Sequence, residues 1–280
     1  MSESKALLQG KRGLIMGVAN DRSIAWGISK AVVEHGAEIA FTYQGEALEK
    51  RVRPLAAQLG SDFLVSADVT DAASLDKAFD EIAKRWGKLD FVVHAIAYSD
   101  KDQLKGKYVD TTRENFLNSM DISVFSFTDV ARRARPLMKE GGAMLTLSYI
   151  GAERIIPHYN VMGVAKAALE ASVRALAADL GPENIRVNAI SAGPIRTLAA
   201  SGIGDFRYIQ KWNELNAPLR RGTTIEDVGG SALYLLSELG SGVTGEVLHV
   251  DSGYHVVGMM ATESAGELSD LLAGFKNKGA

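Results

Sequence analysis

The chain contains 280 residues, 46% of them hydrophobic and 23% charged, and its formal net charge at pH 7 is −3. These values are typical of a globular protein with a large core, and they argue against nucleic acid or an anionic membrane as the main partner. The absence of cysteine excludes disulfides, thiol catalysis and thiolate–metal sites, and is compatible with a reducing compartment. Without an 18-residue apolar run, or an apolar signal core in residues 1–11, we expect a cytoplasmic protein with no membrane span.

Seven short apolar runs, each bounded by polar or glycine residues, predict strands. In chain order they cover residues 12–17, 37–42, 63–66, 89–94, 143–147, 184–190 and 246–250. Helical periodicity fills most of the intervals between them. The predicted helices cover 24–34, 46–59, a segment from a cap at Thr70 or Asp71 to Trp86, a zone from about 113 to 138, and a long helix that opens near Pro157 and runs through Leu180.

The alternation of strands and helices predicts a doubly wound, Rossmann-type α/β fold, with a seven-stranded parallel sheet and helices on both faces. We expect one dinucleotide-binding domain over 1–280, with its site beyond the carboxyl ends of the strands. The longest break in the pattern is 193–212, which contains Pro194, Gly202 and Gly204. We interpret this segment as a mobile flap over the site, and the alternative is a loop without function.

Several loops that follow strands carry residues suited to binding a nucleotide. The loop 17–27 joins the first strand to a helix, whose N-terminal N–H groups can hold a pyrophosphate. Ser23 interrupts the usual glycine pattern and can either donate its hydroxyl or simply cap the helix. Gln44 can hydrogen-bond a ribose or be merely exposed, and Asp68 can meet an adenine edge or cap a helix. The N–H groups of 191–197 can hold a carboxamide and a phosphate.

The five histidines are scattered without paired spacing, so we predict no metal site. His94 ends a buried strand, and we interpret it as a structural histidine with satisfied hydrogen bonds. The small residues that follow it, 95–97, suit the close approach of a flat ligand.

Tyr159 and Lys166 lie seven residues apart at the start of the long helix that follows the fifth strand. At about 100° per residue both project from nearly the same face, so a phenol and an ammonium can meet above the strand ends. We expect the lysine to lower the pKa of the phenol, and Tyr149 to reach the same space. Such a group can donate a hydrogen bond to an oxygen that gains charge. The alternative is a packing tyrosine beside a solvated lysine.

The chain resembles the short-chain dehydrogenase/reductase superfamily over nearly its whole length, and most specifically the bacterial NADH-dependent enoyl-[acyl-carrier-protein] reductases. Most members of the superfamily place a tyrosine four residues before the lysine and a serine thirteen before that tyrosine. Met162 and Tyr149 occupy these two positions here, and the catalytic tyrosine is displaced to Tyr159. This displacement is what the enoyl reductases have. Segments 17–27 and 193–199 are also similar to theirs.

Two positions depart from the family pattern. Ala95 stands where a serine is often found, and Ala97 where a glycine is often found. Both line the nicotinamide pocket that the resemblance implies, and there they could alter the fit of inhibitors.

The resemblance implies hydride transfer from NADH to the double bond of a trans-2-enoyl thioester carried by acyl carrier protein, the last reductive step of fatty acid elongation. Tyr159 would donate a hydrogen bond to the thioester oxygen, Lys166 would hold the nicotinamide ribose, and Tyr149 would position the thioester, with Ser99 near the substrate. The implied cofactor contacts are Gly17, Ser23, Ile24, Gln44, Asp68, Val69, Ile96, Lys166, Ile195, Arg196, Thr197, Leu198 and Ala199.

The resemblance also implies a homotetramer, with the carrier protein docked near basic side chains of the flap such as Arg196, Arg207 and Lys211. The apolar segment 256–260 suits burial between subunits. Two other functions remain open at this point. One is a carbonyl or alcohol dehydrogenase of the same superfamily, which Met162 argues against. The other is a scaffold that senses nucleotide without turnover.

Overall fold

The computed structural model describes residues 6–276, so the predicted domain limits at 1 and 280 lie outside the described residues. The strands in this range are β1 Arg12–Met16, β2 Glu38–Tyr43, β3 Leu64–Ser66, β4 Phe91–His94, β5 Gly142–Ser148, β6 Ile185–Ala192 and β7 Val247–Val250. They form one parallel sheet in the order β3-β2-β1-β4-β5-β6-β7. The predicted fold class is therefore confirmed.

Helices cover both faces of the sheet, and each face buries its own cluster of apolar side chains. The α-helices are α1 Ile24–Glu34, α2 Gly45–Gln58, α3 Ala72–Trp86, α4 Arg113–Met120, α5 Ser126–Ala134, α6 Asn160–Leu180, α7 Phe206–Asn216, α8 Ile225–Leu236 and α9 Ala265–Lys276. One cluster contains side chains of α3, α5 and α6, and the other contains side chains of α1, α2 and α8.

The predicted helix over 113–138 is interrupted. A π-helical stretch at Asp121–Phe125 separates α4 from α5, and a 3₁₀ turn at Arg135–Leu137 follows. The prediction that Pro157 opens the long helix is also wrong, because α6 begins at Asn160. His158 and Asn160 both have positive φ, so the chain turns sharply before it becomes helical.

Helices α7 and α8 both lie between β6 and β7 in the chain, and α8 packs against α1 at very short range. A Cβ at Gly229 would lie 2.7 Å from the backbone oxygen of Gly27, so the two helices approach each other where neither has a side chain. A capping box between Thr224 and Asp227 begins the helix.

Between residues 6 and 276, no helix is both long and apolar enough to span a membrane.

The strand order reverses between β1 and β4, since the chain winds outward to β3 and then returns to the other side of β1. In parallel sheets a ligand binds beyond the carboxyl ends of the strands at such a reversal. The loops that follow β1, β4, β5 and β6 meet at this edge, and the site is built there.

Candidate active site

A cavity of about 450 Å³ opens beyond the carboxyl ends of β1, β4, β5 and β6. Most of the predicted site residues line it: Gly17, Ser23, Ile24, Ile96, Ser99, Tyr149, Tyr159, Lys166, Ile195, Thr197 and Leu198. Gln44, Asp68, Val69 and Arg196 are not part of its wall, and the side chain of Ala199 lies outside the described residues.

The loop between β1 and α1 approaches its neighbour so closely that only glycine fits at its start. Gly17 has φ +95°, and a Cβ there would lie 2.1 Å from the backbone oxygen of Ala95. The Ser23 hydroxyl accepts hydrogen bonds from the backbone N–H groups of Ala19 at 3.0 Å and Asn20 at 3.1 Å. Ser23 occupies the N-cap position of α1, but its hydroxyl makes no capping hydrogen bond to the helix. Ile24 and Ala25, the first residues of α1, line the cavity, and no side chain caps their N–H groups, which fits a pyrophosphate.

The ends of β2 and β3 are joined by a side-chain hydrogen bond, in which the Gln44 amide donates to the Asp68 carboxylate at 2.8 Å. Burial alone would raise the pKa of Asp68, but hydrogen bonds from Thr70 and Gln44 outweigh this effect and lower it. Asp68 does not cap the next helix, because Asp71 holds that position and accepts from the N–H of Ala73. Gln44 and Asp68 thus form one polar unit beside the cavity.

The two tyrosines form an edge-to-face pair, with ring centroids 5.0 Å apart. Tyr159 is 8% exposed, and no group among the described residues forms a hydrogen bond with its hydroxyl. Burial raises the pKa of Tyr159, and the neighbouring Tyr149 raises it further. Burial likewise raises the pKa of Tyr149. The prediction that Lys166 lowers the pKa of Tyr159 is therefore wrong, because desolvation of the phenolate decides the direction.

Lys166 is 7% exposed, so it is not the solvated side chain of the alternative interpretation. Its ammonium donates a hydrogen bond to the backbone oxygen of Leu147, at the end of β5, at 2.7 Å. Burial lowers its pKa to about 8, and the attraction of Glu170 opposes this effect. At neutral pH the cavity thus combines a neutral phenol with a positively charged amine.

His94 is fully buried and hydrogen-bonded, as predicted. Its Nε2 lies 2.8 Å from the Ser126 hydroxyl and its Nδ1 lies 3.3 Å from the Thr146 hydroxyl. Burial and the nearby Lys166 lower its pKa to about 3, so the ring stays neutral. Within residues 6–276 no group of three potential side-chain ligands is arranged to hold a metal ion.

Outside the flap, the sequence did not reveal the apolar wall of the cavity. Its members come from the loop after β4, the turn before α6, α6 itself and the flap, so no periodicity connects them. The one local sequence signal for this wall was the spacing of Phe206 and Ile209, since residues three apart on α7 lie on a single helix face. The apolar wall consists of Leu104, Ile156, Met162, Ile203, Phe206 and Ile209.

The predicted flap contains regular structure. A 3₁₀ turn at Ala199–Gly202 follows the loop after β6, and α7 begins within the predicted range. The Thr197 hydroxyl accepts a hydrogen bond from the N–H of Ala200 at 3.1 Å. Asp205, the residue before α7, pairs with His158 in the turn before α6, with Nε2 and Oδ2 3.2 Å apart.

A doubly wound sheet with a tyrosine and a lysine at the carboxyl ends of its strands defines a class, the nucleotide-dependent reductases of the short-chain dehydrogenase/reductase type. The sequence model of the family described as enoyl-(acyl carrier protein) reductase matches residues 17–255. The chain therefore belongs to the enoyl-(acyl carrier protein) reductase family.

The names of two similar proteins agree with this family assignment. The chain is 67% identical over 264 residues to enoyl-[acyl-carrier-protein] reductase [NADH] 1 of Rhizobium meliloti, covering 94% of this chain and 97% of the relative. It is 57% identical over 252 residues to the corresponding NADH reductase of Rickettsia felis, covering 90% and 97%.

Two solved structures are similar over almost their full length. The enoyl reductase of Anaplasma phagocytophilum in complex with NAD is 64% identical, with a TM-score of 0.89, and the match covers 91% of this chain and 98% of that one. The Bacillus cereus enoyl reductase, solved with NADP+ and indole naphthyridinone, is 55% identical with a TM-score of 0.89, covering 90% and 99%.

Proposed function

We propose that this chain reduces the carbon–carbon double bond of trans-2-enoyl-[acyl-carrier-protein] thioesters with NADH, the last reductive step of fatty acid elongation. The observation that carries the proposal is one cavity in which a neutral phenol, Tyr159, and a charged amine, Lys166, meet an apolar wall. An acyl chain suits the apolar wall, and the phenol and amine suit the thioester end. The names of the relatives agree with this activity.

The residues around the nucleotide loop fit NADH. The turn at Gly17 and the N-terminal N–H groups of α1 suit a pyrophosphate, and Lys166 would hold the nicotinamide ribose. When bound, NADH supplies the hydride that reduces the double bond. We assign cofactor contacts to Gly17, Ser23, Ile24, Ile96, Lys166, Ile195, Arg196, Thr197, Leu198 and Ala199, and contacts with the adenosine end to Gln44, Asp68 and Val69.

The side chains at the thioester end would act through charge. Reduction of the double bond places negative charge on the thioester oxygen, and a donor directed at that oxygen stabilises the transition state. Tyr159 suits this role because burial keeps its hydroxyl protonated. Lys166 adds positive potential, Tyr149 positions the thioester against Tyr159, and Ser99, hydrogen-bonded by Asn115 at 3.1 Å, lies near the substrate.

Steady-state oxidation of NADH with a crotonyl thioester tests this function. We expect Tyr159→Phe to lower kcat about a hundredfold or more, because one donor to the developing charge is lost, while NADH affinity changes less than about twofold. Tyr234→Phe, which removes a hydroxyl from the half-exposed surface of α8, is the matched control and should change neither value. Turnover of simple ketones in preference to the enoyl thioester would favour the carbonyl dehydrogenase alternative. Cofactor binding without any turnover would favour a nucleotide sensor.

The partners follow from the same function. We propose that acyl carrier protein, an acidic partner, docks beside the flap at Arg196 and Arg207, whose side chains are exposed. Lys211 contributes less, because its amine already pairs with Glu214 at 4.0 Å and Glu267 at 3.4 Å. Full activity with a carrier-linked substrate after charge reversal of both arginines would contradict this docking site.

We further propose a homotetramer in the cytoplasm, built from one domain with a mobile flap at 193–212. Strand β7 forms an edge of the sheet, and its side chains are half-buried in the single chain. Val256 and Met259 nearby are exposed, so a partner subunit would bury an apolar surface there.

The flap lines the cavity with Thr197, Leu198, Ile203 and Phe206, which suits closure over an acyl chain. A cysteine-free chain that uses NADH is compatible with a reducing compartment.

A further inference from the structure

Helix α6 carries a second buried ionisable group, for which the proposed reaction has no role. Glu170 is 7% exposed and lies one helical turn after Lys166, on the side of α6 that faces the sheet. The hydroxyl of Ser148, the last residue of β5, donates a hydrogen bond to its carboxylate at 2.5 Å. A buried carboxylate is costly unless it is paired or hydrogen-bonded, so its presence beside the cavity calls for an explanation.

Glu170 and Lys166 together hold α6 against the end of β5 at two adjacent points. The Lys166 ammonium donates to the backbone oxygen of Leu147, and the next residue, Ser148, donates to Glu170. Ser148, Leu147 and Lys166 all line the cavity, whereas Glu170 lies behind them. Glu170 therefore acts on the cavity through its neighbours and does not contact a ligand itself.

Charged groups from several elements determine the charge of this pair. The pKa of Glu170 lies above its ordinary value, chiefly because of burial; the Ser148 hydroxyl opposes this shift and Glu153 adds to it. Around Lys166, burial lowers the pKa and Glu170 raises it, whereas His94 on β4 stays neutral and adds no charge. The remaining groups that face Glu170 are His249 on β7 and Arg174 on α6, and both lower its pKa.

We propose that Glu170 is a positioning residue for Lys166, whose carboxylate, fixed by Ser148, keeps the buried ammonium charged and directed into the cavity. The proposal rests on the proposed function through the role of Lys166 at the cofactor. Without an opposite charge one turn away, a lysine this deeply buried would lose its proton more readily. The charge that holds the ribose and adds potential at the thioester thus depends on a side chain that neither ligand touches.

The titration of Lys166 in the cofactor-free protein tests this directly. Lysine labelled with ¹³C at the ε-carbon reports the protonation of each amine by NMR, and loss of one resonance in Lys166→Met assigns the signal. We expect Glu170→Gln to lower the titration midpoint of Lys166 by about one pH unit, because the side chain keeps its size and loses its charge. Asp179→Asn, the same change at an exposed position of α6, is the matched control and should leave the midpoint unchanged.

Ser148→Ala provides a second test if Glu170→Gln does not fold. Removal of the hydroxyl releases the Glu170 carboxylate from its fixed position at the end of β5, so the Lys166 midpoint should fall, though by less than in Glu170→Gln. NADH affinity should also be lost at a correspondingly lower pH in Glu170→Gln. A purely structural Glu170 would lower the melting temperature and leave the Lys166 midpoint in place, and that result would overturn the proposal. Because the NMR titration needs neither cofactor nor substrate, a failure of the proposed function would leave it intact.

Discussion

Replacement of Lys166 by methionine should change how the stability of the fold depends on pH. Burial lowers the pKa of this lysine from its ordinary value of 10.5 to about 8. As the pH rises above 8, the folded state releases this proton while the unfolded state still holds it. The unfolded state then binds more protons, so the lysine makes the unmodified protein progressively more stable relative to the variant until about pH 10.5.

The size of this effect follows from the two pKa values. Each pH unit between them is worth about 1.4 kcal/mol, so the full difference is about 3 kcal/mol. About 2 kcal/mol of it should develop between pH 7 and pH 9.5. The group is 7% exposed, so little of this energy is lost to screening by solvent.

Urea unfolding of both proteins without cofactor, at one fixed protein concentration and a series of pH values, measures this difference. We expect the free energy of unfolding of the unmodified protein, minus that of Lys166→Met, to rise by about 2 kcal/mol from pH 7 to pH 9.5. The difference between the two proteins cancels groups that titrate equally in both. A difference that stays flat over this range would refute the reasoning, because it would mean that the ammonium is not desolvated in the folded protein.

Two further substitutions test the nucleotide loop and the core. Gly17→Ala should weaken NADH binding about tenfold or more, because its Cβ would overlap a backbone oxygen 2.1 Å away, whereas Gly230→Ala, with open space around it, should not. Fluorescence titration measures both affinities, and an unchanged value for Gly17→Ala would contradict the close approach. Arg133→Met should lower the free energy of unfolding by about 3 kcal/mol, because it breaks a buried ion pair with Asp129. Arg135→Met, at an exposed pair, should cost less than about 1 kcal/mol, and equal costs would argue against burial as the cause.

The sequence predicted the strands and the first three helices to within two residues, because their apolar periodicity is strong and glycines mark their ends. Helix α8 was not predicted, because Gly229 and Gly230 lie in its middle and weaken the helical periodicity of its sequence. The spacing of Thr224 and Asp227 is the capping-box signal that could have revealed it. The start of α6 was misjudged because proline favours the first helical turn, whereas here the positive φ of His158 delays the helix.

For the candidate site, the sequence predicted which loops converge, because parallel strands bring all their carboxyl ends to one edge. It could not predict the sign of the pKa change at Tyr159. Helical spacing shows that Tyr159 and Lys166 share a face, but it does not show how deeply that face is buried. Desolvation depends on everything packed around a group, and here it outweighs the single lysine. The apolar wall outside the flap was equally hidden, since its residues come from separate segments.

Burial has opposite consequences for the protonation of the two proposed catalytic side chains. It favours the neutral form of each, so the pKa of Tyr159 rises away from neutral pH while that of Lys166 falls towards it, to about 8. With its pKa raised, the phenol of Tyr159 stays protonated and able to donate a hydrogen bond at the pH at which Lys166 titrates. On the proposed roles, we therefore expect activity to fall above about pH 8, as Lys166 loses its proton. The electrostatic support of that lysine, and not the acidity of the tyrosine, then determines the pH range over which an enoyl thioester can be reduced.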